Sequence, residues 1–374
     1  MINLKFIRYF KDVLRFNQLS KNDNKICVYC EGKNYWPHLK PIVEHLLKRT
    51  DMQVNYVSSS EDDPGLRFDH PKLQGYVIGA GFIRNYFFDN LSSDVVIMTM
   101  PDLDQYQVKK SARVKRFVYI HHSLVSHQMV YRPKAFDAFD VIMCAGPHHN
   151  TEIQQMIKSW HMPPKTMINH GYGRLDSIIS NSKEKPHNVV KKILVAPSWG
   201  SHGTLEMMGE RLIDELMKLN LHVILRPHPQ TVKFAKGMID TIVKKYQNHE
   251  RFSYEQGVSS EASLHQSDLM ISDWSGAALD YAFGLLKPVL FIDVPKKVQN
   301  EQYESLGLVP FEVSIREQIG VVQDVDLMGL EQKIMQLLND ETDWASALLR
   351  LRDQHVYNVS NSGQIAADAI LELL

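Results

Sequence analysis

The chain has little of what marks secreted, membrane-spanning or nucleic-acid-binding proteins. It contains only 3 cysteines among 374 residues, and its formal net charge is −1. No apolar run reaches the roughly 18–20 residues needed to span a bilayer, and the first residues lack the apolar block and cleavage site of a secretory signal. The charge balance also excludes the bulk basic field typical of nucleic-acid-binding proteins. We therefore predict a cytoplasmic protein with no nucleic acid among its partners.

Metal-binding and redox motifs are also scarce. Cys27 and Cys30 form a Cys-x-x-Cys pair, which is typical of a redox centre or of half a zinc site. However, the chain has no second such pair, and this one lies in an apolar run that reads as a buried strand. Histidines are frequent around His121, which keeps a metal cluster as an alternative, but no helical His-x-x-x-His with a neighbouring Glu occurs. We predict two core cysteines, no metal and no cofactor.

The length and the hydrophobic pattern indicate two domains of one architecture. A chain of 374 residues exceeds one typical domain. Short apolar runs alternate with helical stretches, stop at a polar segment (181–192), and then resume. This alternation predicts an α/β fold of two Rossmann-like, doubly wound domains, with ligands bound in a central cleft at the carboxyl ends of the strands. The predicted boundaries are an N-terminal helix (1–20), an N-terminal α/β domain (21–185), a C-terminal α/β domain (186–340) and C-terminal helices that pack back on the first domain (341–374).

The amino-terminal segment predicts a basic amphipathic helix. Residues 1–19 place apolar side chains at helical spacing, with lysines and arginines between them. Such a helix can lie on an anionic membrane surface, or it can pack its apolar side on the rest of the protein. Both interpretations stay open, and the first predicts a peripheral protein at the inner face of the cell membrane.

The most informative stretch runs from Ser272 to Asp280. It follows a short apolar run and precedes a segment of helical composition that Pro288 closes. A Ser/Gly turn between a strand and a helix places backbone N–H groups, hydroxyls and the positive end of the helix dipole together, which favours phosphate. The alternative is an ordinary connection in which Ser275 caps the helix.

Four further polar clusters follow predicted strands. They are His121-His122-Ser123, Gly171-Tyr172-Gly173-Arg174-Leu175-Asp176, Pro197-Ser198-Trp199-Gly200-Ser201 and Arg226-Pro227-His228-Pro229. A histidine at such a position is a candidate general base. An arginine leaving a glycine-rich turn suits bidentate contact with phosphate. A rigid loop with Arg and His supplies fixed donors where negative charge accumulates during phosphoryl transfer.

Taken in order, these motifs resemble those of the CDP-glycerol glycerophosphotransferases of teichoic-acid and capsule synthesis. The resemblance rests on Pro-Ser-Trp, Arg-x-His-Pro, Ser-Asp-aromatic-Ser-x4-Asp and Lys-Pro, with the upstream Gly-Tyr-Gly-Arg-Leu-Asp, and spans roughly 121–288. It implies a GT-B-like fold without a metal requirement, a CDP-glycerol donor bound mostly by the second domain, a glycan or lipid-linked acceptor, and release of CMP. The chain departs from the family pattern around His122, and at Gly276, where the family usually has a second serine.

Residue roles also follow from the resemblance. His122, or else His121, would take the acceptor proton, and Arg226 and His228 would stabilise the diphosphate and the leaving CMP. The remaining candidates would bind substrate: Ser123, Arg174 at a phosphate, Pro197 and Ser198 at the nucleotide, Ser272, Asp273, Ser275 and Gly276 at the diphosphate turn, and Asp280 at glycerol or ribose hydroxyls.

Two other functions compete with this interpretation. One is a sugar-nucleotide glycosyltransferase or a non-hydrolysing epimerase, since both use paired α/β domains and a Ser/Gly turn for the diphosphate. The other is a non-catalytic capsule-assembly protein that docks on the membrane through residues 1–19. A preference for CDP over UDP separates the leading hypothesis from the first. Loss of function on substituting His122 and His228 separates it from the second.

Overall fold

The computed structural model describes residues 4–106, 108–182, 190–257, 261–339 and 343–374. The predicted linker at 181–192 therefore lies largely outside the described residues. The strands are β1 (Ile26–Cys30), β2 (Val54–Ser58), β3 (Leu73–Val77), β4 (Ser93–Met98), β5 (Val114–Ile120), β6 (Val141–Cys144), β7 (Thr166–Asn169), β8 (Lys192–Val195), β9 (His222–Leu225), β10 (Phe252–Tyr254), β11 (Leu269–Ser272), β12 (Val289–Ile292) and β13 (Gly320–Gln323).

Helices of very different length connect these strands. They are α1 (Leu4–Asn17), α2 (Trp36–Arg49), α3 (Phe82–Asn90), α4 (His127–Val130), α5 (Pro147–Ser159), α6 (Gly173–Asn181), α7 (Thr204–Met217), α8 (Pro229–Phe234), α9 (Lys236–Tyr246), α10 (Ala262–Gln266), α11 (Gly276–Leu285), α12 (Phe311–Ser314), α13 (Arg316–Ile319), α14 (Leu330–Asn339), α15 (Trp344–His355) and α16 (Ser362–Glu372). Pro64–Arg67 and Tyr303–Leu306 form short 3₁₀-helices.

The chain folds into two compact units. The first unit contains residues 1–122, 131–177 and 355–374, and the second contains residues 123–130 and 178–354. Both units therefore contain residues that are distant in sequence. The predicted boundaries at 20, 185 and 340 stay predictions.

The first unit is built on a parallel sheet in the order β3-β2-β1-β4-β5-β6-β7. Every residue of β1 and β2 is buried. β1 therefore reads as a continuous apolar run rather than as an alternating pattern, whereas β2 also contains the buried polar residues Asn55 and Ser58. The carboxyl-terminal helix α16 packs against α2 and adds Ala366, Ala367 and Ile370 to the core of this unit. Residues from the two ends of the chain thus share one hydrophobic core.

The second unit repeats the same winding with a parallel sheet in the order β10-β9-β8-β11-β12-β13. Its core joins the buried faces of these strands to apolar residues of α7, α9 and α14. In both sheets the chain starts in the middle, moves to one edge and returns to build the other half, as in a doubly wound fold. The predicted α/β class with two Rossmann-like domains is confirmed.

The short runs of the sequence predict ten strands, which correspond to β1, β2, β4 to β9, β11 and β12, but they do not predict β3, β10 or β13. All three lie at a sheet edge, and only part of each strand is buried. None of them therefore reads as an apolar run. The composition of residues 231–247 predicts a single helix. The structure has two helices there, α8 and α9, because Ala235 leaves helical geometry (φ −120°, ψ 33°). Cys27 and Cys30 are fully buried free thiols, as predicted for core residues.

The amino-terminal helix forms as the periodicity predicts. Its residues Val13 and Phe16 are fully buried, and α1 packs against β3 and α3 of the first unit. Among the described residues, no helix combines the length and the apolar character needed to cross a membrane.

Candidate active site

The second unit brings several of the predicted motifs to one edge of its sheet. The strands β9, β8 and β11 are neighbours and run parallel, so their carboxyl ends lie side by side. The Pro197–Ser201 loop follows β8, the Arg226–Pro229 loop follows β9, and the Ser272–Gly276 turn follows β11. Ligands of open α/β sheets bind at this edge, where the strand order reverses. These three loops form the candidate donor-binding site.

Asp273 holds two of these loops together. Its buried carboxylate accepts hydrogen bonds from the backbone N–H of Ser198 (2.6 Å), from the backbone N–H of Thr204 (3.1 Å) and from the Thr204 hydroxyl (2.8 Å). The neighbouring Ser272 hydroxyl donates to the carbonyl oxygen of Ala196 (2.9 Å). We infer that Asp273 and Ser272 position the Ser198 loop, because their side chains are already engaged within the protein.

The Ser/Gly turn joins β11 to the start of α11, and it contains the Ser275 cap of the alternative interpretation. Ser275 is the N-cap, and its hydroxyl accepts a hydrogen bond from the backbone N–H of Ala277 (3.3 Å). A Cβ atom at Gly276 would lie only 2.2 Å from the hydroxyl oxygen of Ser123. Glycine at position 276 therefore makes room for the Ser123 hydroxyl beside the N-terminus of α11. Asp280 lies further along the same helix and is 5% exposed.

The Arg226–Pro229 loop presents a histidine in a defined tautomer. The ring nitrogen Nδ1 of His228 accepts a hydrogen bond from the backbone N–H of Gln230 (3.1 Å). In the neutral ring the proton is then on Nε2, which is a donor. Burial, assisted by the positive charge of Lys297, lowers the pKa of His228 to about 4. Arg226 is 3% exposed, and its guanidinium donates to the Ser263 hydroxyl (3.1 Å).

Lys297 is a candidate site residue that the sequence analysis missed. It follows β12, and its ammonium lies 4.4 Å from the centroid of the Trp199 ring, which in turn stacks against His228 at 5.9 Å. Burial lowers the pKa of Lys297 to about 8. A cavity of about 140 Å³ is lined by Ser198, Trp199 and Lys297, among others. No local motif surrounds Lys297, so its role could not be read from its neighbours in the chain.

The first unit holds the candidate bases at the end of β5. The Nδ1 atom of His122 lies 3.1 Å from the carbonyl oxygen of Thr99. A carbonyl oxygen only accepts, so Nδ1 carries the proton and Nε2 presents its lone pair. Burial lowers the pKa of His122 to about 4, so the ring is neutral at pH 7. These are the properties of a proton acceptor.

His121 is placed differently. It is 1% exposed, its Nδ1 lies 3.0 Å from the carbonyl oxygen of Met143, and its ring stacks on that of His149 at 3.9 Å. His122 is more exposed than His121. A base must be reached by the hydroxyl it deprotonates, so the geometry favours His122 over His121.

Arg174 lies in the first turn of α6 and is 7% exposed. Burial lowers the pKa of His38, and the positive charge of Arg174 lowers it further. His38 is a second residue that the sequence analysis missed. The His38 ring lies 6.3 Å from the ring of His122 and 5.5 Å from that of Tyr172. Arg174, His38 and His122 therefore belong to one polar cluster of the first unit.

Comparison with known proteins supports the motif-based resemblance. The profile of the family CDP-Glycerol:Poly(glycerophosphate) glycerophosphotransferase matches residues 132–304. This segment contains Arg174 and the three loops of the candidate donor-binding site. No curated protein sequence matches the chain significantly.

Solved structures share the fold at low sequence identity. The wall teichoic acid polymerase TagF, solved with CDPG, has a TM-score of 0.62 at 16% identity, covering 99% of this chain and 94% of that one. The UDP-GlcNAc 2-epimerase from Neisseria meningitidis, bound to UDP-GlcNAc, has a TM-score of 0.63 at 11% identity, covering 93% and 100%. A putative UDP-N-acetylglucosamine 2-epimerase from Listeria monocytogenes gives 0.60 at 12% identity, covering 94% and 95%.

These structural matches establish a GT-B-like fold, while the family match confirms the predicted enzyme class. Residues 132–304 match the profile of the CDP-glycerol:poly(glycerophosphate) glycerophosphotransferase family, and the chain is a glycerophosphotransferase-like transferase.

Proposed function

We propose that the protein transfers glycerol phosphate, or a related polyol phosphate, from a CDP-activated donor to a hydroxyl group of a cell-surface glycan or glycolipid. The observation that carries this proposal is the shared edge of β9, β8 and β11, where Arg226, His228 and the N-terminus of α11 follow neighbouring strands. Fixed donors of this kind stabilise the charge that a diphosphate develops as it breaks. A teichoic-acid-like or capsular acceptor is consistent with the family match.

In this proposal the second unit binds the donor. The Nε2–H of His228 and the Arg226 guanidinium donate to diphosphate oxygens, and Lys297 adds a positive charge. The backbone N–H groups at Ser275 and Gly276 bind a phosphate at the helix N-terminus. The remaining assignments place Pro197 and Ser198 at the nucleotide and Asp280 at ribose or glycerol hydroxyls.

The first unit supplies the base. The acceptor hydroxyl oxygen attacks the phosphorus that bears the glycerol, and its proton goes to Nε2 of His122. A new P–O bond to the acceptor forms while the P–O bond to CMP breaks, and CMP leaves with the electron pair. Arg174 neutralises a phosphate of the substrate. The products are the acceptor extended by one polyol phosphate and CMP.

We also propose that the protein works at the inner face of the cell membrane, held there peripherally. The helix α1 leaves Phe6, Ile7 and Leu14 between 40% and 44% exposed, and Phe82 at the start of α3 is 71% exposed. Lys11 lies exposed among them. Apolar side chains beside a cation suit an anionic lipid surface. Co-sedimentation with anionic vesicles tests this, and equal binding by wild type and Phe82→Ser would contradict it.

Release of CMP from CDP-glycerol is the direct test of the enzymatic proposal. Purified protein is incubated with CDP-glycerol and with glycerol-phosphate or lipid-linked acceptors, and CMP is quantified by chromatography. We expect turnover by wild type and its loss in His122→Ala. Failure with every CDP-polyol, together with a thermal shift by UDP but not CDP, would favour a sugar-nucleotide enzyme instead. Normal turnover in His122→Ala would remove the base assignment.

A further inference from the structure

The sheet edge of the first unit carries a second group of polar residues around His122. Glu31 directly follows β1, Thr99 directly follows β4, and His122 lies two residues beyond β5. These three strands are neighbours and run parallel, so their carboxyl ends lie side by side. None of the motifs found in the sequence includes Glu31 or Thr99.

Several polar atoms in this group have unmet hydrogen-bonding capacity. Thr99 is fully buried, and its hydroxyl oxygen has no hydrogen-bond partner among the described residues. The same holds for the buried atoms Oε2 of Glu31, Nε of Arg84 and Oδ1 of Asp102. A buried polar atom left unpaired costs about 1–3 kcal/mol, so proteins normally satisfy such atoms or reserve them for a ligand. Four at one place point to bound hydroxyl or phosphate groups.

The electrostatics show that these side chains lie near one another. Burial raises the pKa of Glu31 to about 7, while the positive charge of Arg84 lowers it and the negative charge of Asp102 raises it further. The charge of Glu31 also raises the pKa of Tyr35 and of Tyr119, in each case after burial.

The same two tyrosines connect Glu31 to the candidate base. The ring of Tyr35 lies 5.6 Å from that of His122, and the Tyr119 hydroxyl lies 3.3 Å from Nδ1 of His122. Thr99 is linked to His122 through its carbonyl oxygen at 3.1 Å. Thr99 therefore contacts the His122 ring, and Glu31 lies near two tyrosines that contact the same ring.

We propose that Glu31, Thr99, Arg84 and Asp102 bind the hydroxyl-bearing end of a polyol acceptor. This inference rests on the proposed function, and it assigns residues of the first unit to the acceptor. The charges of the two carboxylates are balanced by Arg84 near Glu31 and by Arg132, which lies 3.7 Å from Asp102. Such a balanced site suits uncharged vicinal hydroxyls, which both donate and accept hydrogen bonds. Glu31 and Asp102 accept from the polyol, Arg84 donates to it, and Thr99 does either. The attacking hydroxyl is thereby held near His122.

Acceptor kinetics test this site. The initial rate of CMP release from CDP-glycerol is measured against a soluble oligo(glycerol phosphate) for wild type, Glu31→Gln, Thr99→Val and Thr99→Ser. We expect the acceptor KM to rise about tenfold in Glu31→Gln and about fivefold in Thr99→Val, as for loss of one hydrogen bond. Thr99→Ser keeps the hydroxyl and should restore a KM close to wild type. Glu44→Gln, which removes the carboxylate of a surface pair with Lys40 (3.8 Å), is the matched control.

Direct binding separates failure of this site from failure of the proposed function. CDP binding, measured by calorimetry, should be equal in all variants. Such binding also shows that each variant is folded. An acceptor KM within twofold of wild type in both Glu31→Gln and Thr99→Val would overturn the site. If wild type shows no turnover, titration of glycerol phosphate followed by NMR decides the question. Glycerol phosphate binding that is weaker in Glu31→Gln than in wild type supports the site. No binding to wild type, or equal binding to both proteins, overturns it.

Discussion

Substituting alanine for Gly276 is predicted to conflict with one side chain only, that of Ser123. A Cβ atom at position 276 would lie 2.2 Å from the Ser123 hydroxyl oxygen and 3.3 Å from its Cβ, and the next atom is a methyl group of Val125 at 3.8 Å. The backbone at Gly276 is helical, so alanine is compatible with it. Any loss of stability must therefore come from displacing Ser123.

The size of the effect follows from the nature of this contact. Overpacking a well-packed site costs about 1–3 kcal/mol. The conflicting atom here is a hydroxyl that can rotate away, so we expect the lower end, about 1 kcal/mol. Ser123→Gly removes both close atoms, and in that background Gly276→Ala should be neutral or stabilise slightly, since alanine restricts the unfolded chain. The double-mutant cycle should then show a coupling free energy of about 1 kcal/mol.

Urea unfolding of the four proteins measures this coupling, and titration with CDP reports whether the displaced hydroxyl matters for the donor. Gly237→Ala is a matched control, because Gly237 also lies at a helix start and a Cβ there would meet no atom within 4 Å. Independent sites add to within about 0.5 kcal/mol. Additive effects of Ser123→Gly and Gly276→Ala within that limit would refute the contact.

Four further predictions follow from the site geometry. Asp273→Asn should lower the free energy of unfolding by about 2 kcal/mol, and with it the unfolding temperature, because an amide cannot accept all three hydrogen bonds. An unchanged unfolding temperature would contradict the positioning role of Asp273. His228→Ala should lower turnover by about 10²-fold, as for loss of a transition-state donor, and near-normal turnover would exclude that role. Lys297→Met should weaken CDP binding about tenfold by calorimetry, whereas unchanged binding would place the lysine outside the site. Burial lowers the pKa of His122 and of His228 to about 4, below the unfolded value of about 6.5. The unfolded chain therefore binds more protons, and stability should be lost as pH falls from about 6.5 towards 4. A higher unfolding temperature at pH 5 than at pH 7 would contradict this prediction.

The sequence was sufficient for much of the fold. Each of the ten segments predicted as a strand is a strand in the structure. All of them except β7 are mostly buried, and buried parallel strands form short, largely apolar segments that are visible locally. The strands β3, β10 and β13 were not predicted, because each of them is only partly buried and does not form an apolar run. The break between α8 and α9 escaped because the apolar spacing continues across it.

The candidate site was predictable where its chemistry is local. The Ser275 cap and the stiff loop around His228 are encoded within a few residues of each strand end, so motif analysis found them. The choice between His121 and His122 was not local. It depends on which ring the packing buries and on which carbonyl oxygen faces each Nδ1 atom, and it therefore required the structure.

By itself, then, the sequence determined the strand–turn–helix alternation and the polar residues that end the strands, since both are properties of short continuous segments. Tertiary structure alone decided which distant residues meet: Ser123 beside Gly276, Lys297 over Trp199, and Thr99 beside His122. The physical reason is the order of strands in each sheet. Parallel winding brings the ends of strands that are far apart in the chain to one edge, and no local pattern records which of them become neighbours.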